Sequence, residues 1–372
     1  MKRAAITAIV LLLPMMLCAA SEEAKDGIEA LLETVDLSEW DDWFREECGE
    51  VGILPSDFLK ELSETNGSAG SGSSIETLAS VLLPSLKSAA LLALLLLGLA
   101  ILGAALNGAA EASAIGETAQ SAFRIAVSGA VLVTAFAEVR AALRMLNAVD
   151  KAAEILLPAL IGFLTLSGMT NTAALLPVSH AMLSETVLKL VKNTVVPLAV
   201  LSGVLSAVDA GGAGRLAAVG RLLQRAAKWI LGTVCALFLI VTAVRSTAAV
   251  SADSVLVKTT KFAAGSIPSV GALLSESVET GYQCIRFVRS ILGLTGCVLL
   301  LSTAAKPVLS IAATRCAVRA SALLSEPLSG KPYAELLRGI GDMLHILMLC
   351  ELAAEASALL VIAPVFGGGG AP

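Results

Sequence analysis

A run of 19 residues without a charged side chain, from Ser88 to Leu106, constrains this chain more than any other feature. Its length matches the roughly 20 apolar residues that a transmembrane helix needs. Further apolar runs lie at 155–177, 229–244, 290–305 and 344–366, with shorter ones at 125–137 and 194–208. These runs predict an all-α, polytopic membrane helical bundle of about five to seven spans, some of them broken by Pro or Gly.

The distribution of charge separates a short acidic segment from a long apolar body. Residues 21–77 hold 16 acidic and 3 basic side chains, whereas residues 78–372 hold 15 acidic and 21 basic side chains. A nucleic-acid-binding domain would show a basic stripe, so this pattern excludes nucleic acid as a partner. Only 15% of all residues are charged, against about 25% in a typical soluble chain, which argues against a soluble enzyme.

The N-terminal residues have the pattern of a cleaved secretory signal peptide. Lys2 and Arg3 precede an apolar stretch that ends in Cys18-Ala19-Ala20, which supplies small residues before Ser21. An uncleaved membrane helix is the alternative, but the apolar stretch is shorter than a span requires. The predicted organisation is a signal peptide (1–20), an acidic extracytoplasmic helical region (21–65), a Gly/Ser linker (66–77), a multispanning membrane domain (78–366) and a flexible tail (367–372).

The segment 125–137 can be interpreted either as a short span or as an interfacial helix. A span would place Arg140, Arg144 and Lys151 outside the cytoplasm. An interfacial helix keeps them on the cytoplasmic side, as the positive-inside rule prefers. We therefore predict an interfacial or buried amphipathic helix at 125–137.

Two eleven-residue segments resemble each other without gaps. Residues 177–187 and 268–278 share Pro, Ala, Leu, Ser, Glu and Val at six positions. The functional interpretation is a pair of membrane helices broken at Pro177 and Pro268, in corresponding positions along a transport pathway. The alternative is that a helix-capping Ser-Glu pair, such as Ser184-Glu185, recurs by chance in a Ser-rich chain.

The second copy lies within a stretch that resembles a known family. Residues 260–276 are similar to the signature of stage III sporulation protein AE, in which Lys-Phe, Gly, Ile-Pro and Val-Gly lead into Leu-Ser and an acidic residue. Residues 319–328 resemble a later segment of that family. The chain departs from the pattern in its Gly-Ser before Ile-Pro and in its small acidic N-terminal region. The motif residues are Lys261, Phe262, Gly265, Ile267, Pro268, Gly271, Leu274, Ser275, Glu276, Arg319 and Pro327.

The resemblance implies a membrane component of the sporulation channel, or secretion-like complex, that connects mother cell and forespore and is needed for forespore development. It implies a location in the mother-cell membrane around the forespore. The implied partners are other proteins of the same operon, including a cytoplasmic ATPase and ring-forming proteins, and a forespore membrane partner. A stand-alone secondary permease or exporter of a small molecule is the alternative.

The sequence predicts neither an enzyme nor a cofactor site. It contains no Gly-x-x-x-x-Gly-Lys-Ser/Thr loop for nucleotide phosphates and no Gly-x-Ser-x-Gly nucleophile elbow. Its seven cysteines and two histidines are not spaced as zinc ligands, so no metal is predicted.

Ionisable side chains in or beside the apolar runs are the candidate functional residues. Glu351 and Glu355 are four residues apart, and Glu279 and Arg286 are seven apart, so each pair shares a helix face. Such groups within a membrane segment usually face a protein interior or a water-filled route, although an interfacial position is the alternative. The predicted pathway or partner contacts are Pro177, Glu185, Glu279, Arg286, Glu351 and Glu355.

Overall fold

The described part of the chain is helical, apart from one turn at Gly168 and Met169. The computed structural model describes residues 73–110, 114–166, 168–209, 215–265, 296–297, 300–301, 303–327 and 331–367. No strand occurs in these ranges, which confirms the all-α prediction. The predicted signal peptide, the acidic region 21–65 and the tail after Gly367 lie outside the described residues.

Seven α-helices follow one another along the described chain. They are α1 (Ser73–Ala110), α2 (Ala114–Leu166), α3 (Thr170–Met182), α4 (Val196–Val208), α5 (Arg215–Gly265), α6 (Thr303–Pro327) and α7 (Lys331–Gly367). Two π-helical segments, Leu183–Leu188 and Val191–Val195, join α3 to α4 in one continuous helix. The first helix begins at Ser73, five residues before the predicted start of the membrane domain.

Six of these helical segments are long and apolar enough to cross a membrane. They are Leu86–Ala105, Ile125–Gly162, Thr170–Val208, Ala218–Val255, Thr303–Pro327 and Pro332–Val365. The number agrees with the five to seven spans predicted from hydropathy. Since a helix satisfies its own backbone hydrogen bonds, such a bundle is stable in lipid. The chain is therefore a multi-pass membrane protein.

The predictions for 125–137 and 155–177 are wrong in detail. Helix α2 runs without interruption for 53 residues, or about 80 Å, so 125–137 is part of one long helix and no separate interfacial element. The helix ends inside the predicted span 155–177, where Gly168 has a φ of +75°. The Met169 and Gly168 amides donate to the carbonyls of Leu164 (2.9 Å) and Thr165 (3.0 Å), a Schellman motif.

The expected break at Pro177 is also wrong, because α3 continues through this residue. Pro177 is exposed on the outer face of the helix. The helix is interrupted nine residues earlier, at Gly168, where a glycine adopts the left-handed backbone conformation without steric cost. The second copy of the sequence repeat, at 268–278, lies outside the described residues.

Helix α7 is the centre of the bundle and packs against α2, α3, α4 and α5. Small residues allow these helices to approach closely. A Cβ atom added at Gly339 would lie 2.4 Å from the Ser206 Cβ of α4, and one added at Gly203 would lie 2.4 Å from the Met343 Sδ. The Tyr333 hydroxyl donates to the Leu96 carbonyl (2.8 Å), which ties α7 to α1.

Candidate functional site: buried carboxylates along the central helix

Two glutamates of α7 lie in the interior of the bundle. Glu351 is 0% exposed and Glu355 is 5% exposed, on one face of the helix four residues apart. None of their four carboxylate oxygens has a hydrogen-bond partner within the described ranges. A buried carboxylate without a partner costs free energy, so packing gives no reason for either residue. The two glutamates share one helix face, as their spacing predicts, and of the two positions that the sequence left open, interior or interfacial, they occupy the interior one.

A third carboxylate, Glu138 of α2, lies in the same part of the interior. It accepts hydrogen bonds from the Thr314 Oγ1 (2.7 Å) and the Ser310 Oγ (3.3 Å) of α6. Glu138 is close enough to Glu351 to act on it electrostatically, and Glu355 acts in the same way on Cys297. Helices α2, α6 and α7 therefore bring carboxylates and hydroxyl groups together between them.

Sequence reasoning missed Glu138, although the sequence holds a signal for it. Val131 and Ala135 are buried, and Glu138 follows them at the i+7 and i+3 positions of the same helix face. The first charged residue after an apolar run, on that run's buried face, is an interior position. Glu138 was missed because 125–137 was interpreted as a separate helix.

A second polar cluster surrounds Asp150 of α2, where the neighbouring helix changes to π geometry. The His180 Nε2 lies 3.4 Å from the Asp150 carbonyl oxygen and 3.6 Å from its Oδ1. The Ser184 Oγ donates to the Asp150 Oδ2 (3.1 Å), and Lys192 interacts with Asp150 electrostatically. Ser184 therefore binds another helix and does not cap a new one, which corrects the capping interpretation. Single π-helical turns are frequent at functional sites.

Other predicted residues are not brought to this interior. Glu185 is exposed and forms an ion pair with Lys189 one turn later. Arg319 is exposed and pairs with Asp342 across the α6–α7 hairpin. Pro327 ends α6 on the surface. Lys261, Phe262 and Gly265 belong to the last two turns of α5. The remaining predicted residues, which lie outside the described part of the chain, are Ile267, Pro268, Gly271, Leu274, Ser275, Glu276, Glu279 and Arg286.

The carboxylates do not assemble into a metal centre within the described ranges. No group of three or more His, Cys, Asp and Glu side chains there is arranged to hold a metal ion. What the arrangement offers is ionisable carboxyl groups and hydrogen-bonding oxygens inside an apolar bundle. Such groups line pathways or contact polar partners within the membrane.

These features define a class of protein: a multi-pass helical bundle with ionisable groups in its membrane-embedded interior. The family model of stage III sporulation protein AE matches residues 54–369, and the chain belongs to this family. The resemblance found in the sequence is thereby confirmed.

The chain is 27% identical over 179 residues to a protein of Bacillus subtilis (strain 168) named stage III sporulation protein AE. This similarity covers 48% of the chain and 45% of that relative, so the match spans about half of either protein. No solved structure matches the chain.

Proposed function

We propose that the protein is a membrane component of the sporulation channel, or secretion-like complex, that connects mother cell and forespore and is needed for forespore development. The observation that carries this proposal is membership of the sporulation family over residues 54–369, combined with six apolar helices in one bundle. The family is named after sporulation. A channel complex requires a polytopic protein with polar groups in its interior.

The proposal includes a location and a set of partners. The protein would lie in the mother-cell membrane around the forespore, with its acidic N-terminal region outside the cytoplasm after signal cleavage. Its partners would be other proteins of the same operon, including a cytoplasmic ATPase and ring-forming proteins, and a forespore membrane partner. The absence of a phosphate-binding loop from the sequence supports an ATPase as a separate subunit.

The buried glutamates support a role beyond anchoring. A protein that only anchors others to a membrane gains nothing from carboxylates that are buried without partners, because such groups are costly in an apolar interior. Glu351 and Glu355 lie on the central helix, where a pathway or a polar contact with another subunit would need them. Nothing in their arrangement resembles a nucleophile with its base, so a catalytic role gains no support.

A stand-alone secondary permease is the second candidate function. Two features favour a permease: the interruption of the helix at Gly168 and the π-helical segments beside Asp150 and His180. Transporters form their substrate sites at interrupted helices. A permease of this kind would work without other proteins of the operon.

Deletion of the gene in its host tests the proposed function. We expect forespore-specific late gene expression to collapse after engulfment and to return when the intact gene is supplied. Affinity purification of the tagged protein from sporulating cells should then recover the operon proteins. Normal spores in the deletion strain would refute the sporulation role. Defective spores with a protein that purifies alone would refute the complex and favour the permease.

A further inference from the structure

The outward face of α2 changes character abruptly along the helix. Between Ile125 and Ala137 this face is apolar, with Ile125 and Val133 exposed by 73% and 68%. From Arg140 to Glu154 the exposed positions are polar or charged, beginning with Arg140 and Arg144 one turn apart. An apolar surface that ends in arginines is typical of the boundary between hydrocarbon and headgroups.

A groove lies at this boundary. It is lined by Ala137, Arg140, Leu143 and Arg144, so two arginine side chains border a depression with apolar walls. Neither arginine has a hydrogen bond or ion pair with another described residue. The nearest carboxylate along the helix, Glu138, is turned inward to Ser310 and Thr314 and does not neutralise them.

The chemistry of the groove fits one occupant, an anionic phospholipid. A guanidinium group binds phosphate oxygens through two parallel hydrogen bonds, and two such groups leave a net positive site for an anionic headgroup. The exposed apolar face beside the groove, with Val133 and Phe136, suits the acyl chains of the same molecule. We propose that Arg140 and Arg144 bind the phosphate of an anionic phospholipid whose chains lie along 125–137 of α2.

The chain offers a matched control on another helix. Arg221 and Arg225 of α5 are also exposed, are also four residues apart and also have no partner among the described residues. They do not line the groove on α2. A general attraction between basic side chains and anionic lipid would involve both pairs, whereas a specific binding site involves only Arg140 and Arg144.

Native mass spectrometry of the purified full-length protein tests the proposal, with phosphatidylglycerol or phosphatidylcholine added to the detergent. We expect Arg140→Gln/Arg144→Gln to weaken phosphatidylglycerol binding by about thirtyfold and to leave phosphatidylcholine binding unchanged. Arg221→Gln/Arg225→Gln should bind both lipids as the unaltered protein does. Equal losses in the two double variants, or equal losses for the two lipids, would overturn the proposal.

Two additional experiments identify the ligand that binds in the groove. Arg140→Lys/Arg144→Lys keeps both charges without the paired hydrogen bonds, and we expect it to bind less phosphatidylglycerol than the unaltered protein but more than the glutamine variant. The double lysine variant also tests the proposal if the double glutamine variant does not fold. Inorganic phosphate and a poly-glutamate peptide should each fail to displace bound phosphatidylglycerol. Displacement by either one would overturn the lipid proposal in favour of a free phosphate or an acidic protein segment.

Discussion

Two parts of the bundle bury acidic side chains in opposite ways. At the Gly168 turn, Asp253 of α5 is 1% exposed and accepts four hydrogen bonds. Its Oδ1 binds the amide (3.1 Å) and Nδ2 (2.9 Å) of Asn171, and its Oδ2 binds the amide (2.8 Å) and Oγ1 (2.6 Å) of Thr172. On the central helix, Glu351 and Glu355 are equally buried but accept no hydrogen bond from the described residues.

The difference separates a carboxylate whose burial the fold explains from two whose burial it does not explain. Asn171 and Thr172 stand in the first turn of α3, where backbone amides have no partner within the helix. Asp253 supplies that partner from another helix and places a negative charge at the positive end of the helix dipole. Its burial is therefore explained by the fold. The fold does not explain the burial of Glu351 and Glu355, and we infer that the function of the protein requires these carboxyl groups in the interior.

The largest effect on stability is expected for Asp253→Ala. This change removes the acceptor of the Asn171 and Thr172 amides, and Thr172 is fully buried, so the free energy of unfolding should fall by about 1–3 kcal/mol. Thermal unfolding in detergent, followed by circular dichroism, measures the loss. Glu154→Ala, at an exposed acidic position of α2, is the control and should change little. Equal melting temperatures for the two variants would contradict the structural role of Asp253.

The second effect concerns function. Glu351→Gln and Glu355→Gln keep the shape of the side chains but remove their ionisable carboxyl groups, so the melting temperature should stay the same or rise. Heat-resistant spores should nevertheless decrease by about tenfold or more, as expected for ionisable groups that serve a function inside the membrane. Glu335→Gln, at an exposed position of the same helix, is the matched control. If spore counts are unaffected by both interior substitutions, their functional interpretation has to be dropped.

The smallest effect is expected at the α6–α7 hairpin. Arg319 pairs with Asp342, and Arg338 pairs with Glu326, in positions that remain partly exposed. Solvent weakens such pairs, so Arg319→Gln and Arg338→Gln should each cost about 0–1 kcal/mol of stability. The same melting experiment compares them with Asp253→Ala. Arg319 also belongs to the predicted family motif, so a spore defect in Arg319→Gln with normal stability would assign it a role that its ion pair does not explain.

Much of the helical content was predictable from local patterns. The span after Lys87 follows from the uncharged run 88–106, which coincides with Leu86–Ala105 except for its last residue. That Glu351 and Glu355 share a helix face follows from their spacing of four residues, whereas the inward direction of this face does not. Where helices end was less accessible, because hydropathy averages over a window and registers neither the left-handed conformation of Gly168 nor the continuity of α3 through Pro177. The fusion of 125–137 with the rest of α2 was missed for the same reason.

The amino-acid sequence was sufficient to establish an all-α, multi-pass protein of a sporulation family. Long apolar runs leave a chain in lipid no other way to satisfy its backbone than helices. Whether a buried acidic side chain finds hydrogen-bond donors, in contrast, depends on which helices pack together. Asp253 meets Thr172 across 81 residues, and Glu138 meets Thr314 across 176. A local pattern contains no information about such distant partners. Only the packed bundle distinguishes Asp253, which accepts four hydrogen bonds, from Glu351 and Glu355, which accept none from the described residues.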